Sequence, residues 1–171
     1  GYGAKLTNIY SKLFIVETSE DETTKNYYYT TIENEQFQFK NFIKDDKSNL
    51  ELLNIINDKF YFSDEKYSWG NISYFDINNR TENTILIPQV YSHLLVGATF
   101  LENYIICKYD NMGKYYMSIH DYTGKFIRKF EAPHSMDFQI RFYDEKTNEL
   151  FVTFYSYTIS SLNYKLNIWL V

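Results

Sequence analysis

Three histidines, one cysteine and a few runs of carboxylates are the residues through which this 171-residue sequence could do chemistry. Their spacing argues against most of it. A metal centre draws on His or Cys in pairs at short separation, whereas His93, His120 and His134 are scattered. His93 precedes an expected strand, His120 ends another and His134 lies in a loop, so each is assigned an ordinary surface or strand-end role. Cys107 alternates with Ile105 on one strand face, the pattern of a buried structural thiol rather than a nucleophile. The carboxylates of Glu20-Asp21-Glu22 and of Asp45-Asp46 fall in polar loops, where solvation accounts for them. The glycines, at 1, 3, 70, 97, 113 and 124, begin neither a Gly-x-Ser-x-Gly nucleophile turn nor a glycine-rich phosphate loop. Two glycosylation sequons, Asn71-Ile72-Ser73 and Asn79-Arg80-Thr81, are expected by chance in so asparagine-rich a chain. The sequence thus assigns no catalytic residue, no cofactor and no metal ligand.

What must position these residues is a succession of strands. Leu94 to Leu101, Tyr104 to Tyr109, Tyr115 to Asp121 and Phe126 to Phe130 read as a four-stranded antiparallel meander. The third alternates, with Tyr115, Met117 and Ile119 on one face and Tyr116, Ser118 and His120 on the other. Between the last two, Asp121 can accept bonds from the amides ahead of it and Gly124 can take the left-handed conformation of a hairpin. The unit recurs. Phe14, Phe60, Ile105 and Phe151 fall 46, 45 and 46 residues apart, and on the third strand Ile32 and Ile77 are 45 apart and Phe75 and Ile119 are 44 apart. Four strands in about 45 residues is the period of a propeller blade.

The fold class read from this is all-β, a partial β-propeller of about three and a half four-stranded blades within one domain, at roughly residues 6–43, 50–88, 94–131 and 136–171. In the first blade Lys12 to Thr18, Asn26 to Ile32 and Gln36 to Ile43 are strands, Leu6 to Tyr10 is the only stretch left for an inner strand, and Glu17 to Lys25 is a polar loop. In the second, residues 49–58 place Leu52, Leu53, Ile56 and Phe60 on one helical face, yet the repeat register makes the stretch an inner strand. Lys59 to Phe62, Asn71 to Ile77 and Thr84 to Ile87 follow, with a turn at Asn78 to Thr81. The last blade comprises Met136 to Tyr143, Glu149 to Tyr155 and Tyr164 to Val171, without an outer strand. Three to four blades in an arc leave two apolar faces and an open strand edge, which call for further blades or a second copy.

Composition agrees with a folded, aromatic-rich chain: 44% of residues are hydrophobic and 20% aromatic. Stacked blades cover both faces of each sheet, so small residues such as Gly97 and Ala98 suit a crowded inner strand while Tyr and Phe fill the gap that widens outward. An aromatic-rich β-sandwich is the alternative, though it does not require equal spacing. With 17 basic and 22 acidic residues the net charge is −5, which gives nucleic acid nothing to bind. The densest basic cluster, Lys125, Arg128 and Lys129, reads as a solvated strand edge. One cysteine excludes an internal disulfide and fits a reducing, cytoplasmic compartment. The apolar runs are too short for a bilayer, so no membrane partner is expected.

In order and spacing, these local patterns resemble the propeller domain of the prolyl oligopeptidase family of serine peptidases. The segment from His120 to Phe130 is similar to that family's Tyr-Asp-x-x-Gly-Lys stretch, with Ala132-Pro133 in place of its Leu-Pro. Phe154-Tyr155-Ser156-Tyr157-Thr158 resembles its Phe-Thr-Ser-Phe-Thr, and Phe60 to Asp64 its Tyr-x-x-Thr-Asn, with Asn71 to Asp76 at the family's spacing. The chain departs from it at Ile159-Ser160-Ser161, where a proline is usual, and at Tyr67-Ser68-Trp69, where Ala-Pro-Asn is usual. The resemblance implies a non-catalytic module that restricts a separate α/β-hydrolase domain to short peptides, with that domain and the remaining blades as partners in the same or another chain. Self-association through open blade edges belongs to the same expectation. A free-standing propeller that binds a protein partner is the alternative function, and a carbohydrate-binding sandwich a third.

Overall fold

The computed structural model of the chain describes residues 14–19, 25–33, 36–45, 50–64, 66–76 and 83–169, with side chains from Leu50 onward. The chain divides into two compact units, Gly1–Asn49 and Leu50–Val171. The first is a three-stranded antiparallel sheet of β1 (Phe14–Ser19), β2 (Lys25–Glu33) and β3 (Gln36–Asp45), in that order, with a register shift between Tyr27 and Tyr28. Strand β1 therefore runs into the expected polar loop, taking Glu17 to Ser19. The expected inner strand at Leu6 to Tyr10 lies outside the described residues.

The second unit holds three sheets, each a meander in chain order. The first comprises β4 (Leu50–Ile56), β5 (Lys59–Asp64), β6 (Ile72–Asp76) and β7 (Thr84–Ile87). Next come β8 (Leu94–Phe100), β9 (Ile105–Asn111), β10 (Lys114–His120) and β11 (Phe126–Glu131). Three strands make the last: β12 (Asp137–Asp144), β13 (Glu149–Tyr155) and β14 (Leu162–Asn167), so that strand ends at Asn167 and not at Val171. The fold is that of a partial β-propeller. Helical periodicity loses to turn chemistry at residues 50–58, because Asn57 and Asp58 both take positive φ, 50° and 60°, and close a two-residue hairpin between β4 and β5. Met112 and Gly113, at 51° and 81°, do the same between β9 and β10, where the Gly113 amide also donates to Asp110 Oδ1 at 2.7 Å. The expected turn at Asn78 to Thr81 lies outside the described residues.

The sheets pack face to face along two seams. Between the first and second sheets lie Tyr61, Ile72, Ile87, Ile105, Cys107, Tyr109 and Tyr116, joined by the half-buried Phe100 and Tyr122. Between the second and third lie Tyr104, Ile106, Met117, Ile119, Met136, Leu150, Val152 and Ile168, with Phe138 and Phe154. The two faces expected for β10 are thus the two seams: Met117 and Ile119 enter one, Tyr116 the other.

The seams also correct the repeat by one residue in two places. Phe151 is 37% exposed, while its neighbour Leu150 is fully buried on the face that Ile105 occupies one sheet earlier. Likewise Tyr74, not Phe75, packs into a seam as Ile119 does, since Phe75 stacks on Phe62 across the opposite face. With these assignments Phe60, Ile105 and Leu150 stand 45 residues apart, and so do Tyr74 and Ile119. A side-chain period of two makes a one-residue slip a change of face, so a spacing of 44 or 46 cannot preserve it in strands of equal length.

Candidate functional site

Among the described residues, none of the side chains capable of chemistry converges on a common centre; the carboxylates of Glu20-Asp21-Glu22 and Asp45-Asp46 lie outside the residues whose side chains are described. His93 Nδ1 lies 2.7 Å from the Tyr116 hydroxyl, and its ring meets that of Tyr116 edge-on at 5.4 Å. His134 is exposed in the short 3-10 turn Pro133–Ser135, where it and Ser135 take φ of 49° and 56°. His120 is indeed at a strand end, but it is buried rather than a surface group. Its Nδ1 lies 3.2 Å from the Gly124 carbonyl, which can only accept, so Nδ1 carries the proton and Nε2 accepts from the Ser118 hydroxyl at 2.7 Å. Burial holds its pKa below the ordinary histidine value, in keeping with a neutral ring. The pair has the contacts of a Ser–His dyad but stands in the packed interior of a sheet, where it fastens a turn.

That turn is the strongest of the sequence motifs, and the structure gives it a mechanical role. Asp121 Oδ1 accepts from the amides of Thr123 and Lys125, at 2.8 and 3.1 Å, and from the Thr123 hydroxyl at 2.6 Å. Gly124 has φ of 84°, and a Cβ there would collide with the Leu86 carbonyl of β7. Tyr122 donates to the Leu101 carbonyl at 2.6 Å and packs its ring edge-on against Tyr61 at 6.0 Å. The motif therefore docks the second sheet on the first. Phe60 to Asp64 behaves similarly: the buried Asp64 amide donates to Asn71 Oδ1 at 3.0 Å, Asn71 Nδ2 donates to Ser73 Oγ at 2.7 Å, and the Asp64 carboxylate pairs with Lys66 at 2.6 Å. Asn71, at 1% exposure, is closed to glycosylation in the folded chain; Asn79 lies outside the described residues.

Cys107 is the buried thiol expected, with its pKa pushed up to about 12 by burial. Burial likewise raises Tyr61 and Tyr116 to about 12. Of the basic cluster, Arg128 is more than a solvated edge. Its guanidinium lies 3.4 and 3.5 Å from the carbonyls of Asn167 and Ile168 in the next sheet and stacks over Phe130 at 4.6 Å. Among the described residues no group of three or more His, Cys, Asp or Glu could hold a metal ion, and no helix is long and apolar enough to cross a membrane.

The surface that remains is the inner one, formed by β4, β8 and β12, each the edge strand of its sheet. Each carries a bulge, with register shifts at Leu52/Asn54, Leu95/Gly97 and Ile140/Phe142, which twists the edge and limits regular pairing. Leu94 and Val96 on β8 are 46% and 48% exposed. Gly97 is not crowded, contrary to expectation: a Cβ there would meet nothing within 4 Å. It opens a cleft of about 290 Å³ between β8 and β12, lined among others by Thr99, Ile106, Lys108, Phe138 and Ile140. Lys108 donates to the Phe138 carbonyl at 3.2 Å and is ion-paired with Asp137.

No protein-family profile matches the chain, and no curated protein matches it. Solved structures do. A prolyl endopeptidase superposes with a TM-score of 0.75 over 92% of this chain and 23% of its own, at 16% identity. Prolyl oligopeptidase B from Galerina marginata, bound to a 35-residue substrate, also gives 0.75 over 92% and 23%, at 10% identity. Oligopeptidase B from Trypanosoma brucei gives 0.68 over 92% and 24%, at 12% identity. The chain spans about a quarter of the length of these enzymes, and at such identities the likeness is one of fold, that of the propeller portion of prolyl oligopeptidases.

Proposed function

We propose that this chain is the non-catalytic propeller portion of a prolyl-oligopeptidase-like serine peptidase, gating the access of short peptides to a hydrolase domain. The observation that carries the reading is the superposition of 92% of the chain on 23% of a prolyl endopeptidase. Two features support it. Cys107 and the dyad-like Ser118 and His120 are absorbed into packing. The inner edge strands carry bulges that leave only short runs of backbone open to an extended chain, which suits a wall that substrate touches and passes. The mechanism is steric: sheets stacked through apolar seams hold a rim that admits an unfolded chain and excludes a folded one. Its partners are the hydrolase domain and the remaining blades, its substrates those of the whole enzyme, and its thiol chemistry suits a cytoplasmic setting.

The test is to read the gene past the codon for Val171 and to assay the purified chain on fluorogenic proline peptides. A following frame with Gly-x-Ser-x-Gly and later Asp and His, together with no turnover by the chain alone, is the expected result. Turnover by the chain alone, or a stop with no hydrolase in reach, overturns it. In the latter case the second reading, a free-standing interaction module, takes over. It is favoured by Phe142 and Phe151, which meet at 5.9 Å on the face of the last sheet turned away from the second seam and are 61% and 37% exposed. That reading predicts self-association, and a strictly monomeric species in light scattering would count against it.

A further inference from the structure

Gly97 has no structural reason to be glycine. Its φ is not among the positive values of the described residues, and a side chain there would enter open space. The neighbouring bulge does not demand it either, since the residues that follow the bulge in the other two sheets are Asn54 and Phe142. Counted in strand pairs from the first hairpin of each sheet, the place of Gly97 is held by Glu51 in one and Gln139 in the other, both long side chains. A glycine inside a strand without a conformational cause marks a place that something else approaches closely.

We propose that the cleft beside Gly97 is a subsite for one neutral aliphatic side chain of an extended peptide lying along the edge of β8. Three observations select this occupant. Among the described residues β8 shares a sheet edge with β9 alone and its Leu95 amide is taken by the Trp69 carbonyl, so the short edge past the bulge, from Gly97 on, presents backbone donors and acceptors to an extended chain. The cleft, at about 290 Å³, stands at the lower end of ligand-pocket volumes, which suits a side chain better than a whole ligand. Its cation, Lys108, is cancelled by Asp137 and held by the Phe138 carbonyl, so the cleft is neutral and a charged side chain would be desolvated without a partner. The proposal rests on the peptide-facing reading above for the nature of its occupant, and makes the propeller a wall with a preference rather than a bare sieve.

The test is a titration of the full ¹⁵N-labelled chain with end-capped hexapeptides that differ only in a central Leu, Lys or Glu. The Leu peptide is expected to shift the amides of Gly97, Ala98 and Thr99, and to bind at least tenfold more tightly than the other two. Gly97→Leu, which fills the cleft from within, is expected to melt with the wild type and to lose at least tenfold in affinity for the Leu peptide. Shifts confined to other residues, equal affinity for all three peptides, or undiminished binding by a folded Gly97→Leu would each overturn the proposal. Should Gly97→Leu not fold, the wild-type shift map and the Leu-to-Lys ratio decide alone. No hydrolase takes part in this titration, so failure of the gating role, read from the gene and from turnover, leaves its outcome untouched.

Discussion

The two seams of the Leu50–Val171 unit perform the same task with different side chains. The first is aromatic: Tyr61 lies 5.1 Å from Phe100 and 5.8 Å from Tyr74, and Tyr109 stacks on Tyr116 at 5.1 Å and 16°. The second is mostly aliphatic, with Ile106 and Ile119 where the first has Tyr61 and Tyr74. Aromatics enter both gaps, as expected, since Tyr104, Phe138 and Phe154 are buried in the second; what differs is the positions they hold. Large rings with polar tips also bond within their own sheet, as Tyr122 does to the Leu101 carbonyl, which fixes the ring that packs on Tyr61. The second is tied instead by cations, Lys108 to the Phe138 carbonyl and Arg128 to the carbonyls of Asn167 and Ile168, and beside it lies the open cleft at Gly97. One seam is thus keyed by interlocking rings, and the other by aliphatic volume with charged ties beside it.

Truncating each seam at the same place probes this contrast most strongly. Tyr61→Ala is expected to cost about 3–5 kcal/mol and Ile106→Ala about 2–5 kcal/mol in denaturant unfolding. If Ile106→Ala cost more than Tyr61→Ala, the first seam would not be the more tightly specified. A smaller effect is expected from Gly124→Ala, about 1–3 kcal/mol from the left-handed backbone, with the collision at the Leu86 carbonyl added to it. Amide exchange should then show both sheets of the first seam losing protection, and the second seam keeping it. Cys107→Ser, which puts a more polar group in the buried first seam beside the Tyr109 side chain that the thiol bonds, should cost about 1–3 kcal/mol. Met117→Leu in the second is expected to cost less than about 1.5 kcal/mol, because volume is what matters there.

The smallest effect is one of pH. His120 has a folded pKa below its unfolded value, so the unfolded chain takes up the proton first as pH falls. Its contribution to stability is therefore present above the ordinary histidine value and is lost as pH falls through it toward the folded pKa. The midpoint of urea unfolding should decline below about pH 6.5, and His120→Gln should flatten that decline. An unchanged slope would mean that burial does not hold the ring neutral.

Strand order, turns and the faces of β10 were legible in the sequence because a period of two and turn residues such as Gly124 are local signals. The exact register was not. Phe151 and Leu150 are both apolar, and only packing against Ile168 and its neighbours shows which of them is inside. His120 read as a strand-end residue because its two partners, Ser118 and Gly124, come together only through the turn they stabilise. In the sequence Gly97 reads as a sign of crowding, since a missing side chain looks the same whether space is scarce or left open.

The lone cysteine offers a different use of the first seam. Cys107 is fully buried, with its thiol held protonated at ordinary pH, so a disulfide reagent in the solvent can reach it only when the two sheets part. Where reclosure outpaces modification, the labelling rate divided by that of an open thiol gives the equilibrium for that parting. The protein carries a built-in clock for the breathing of a single interface, read without mutation.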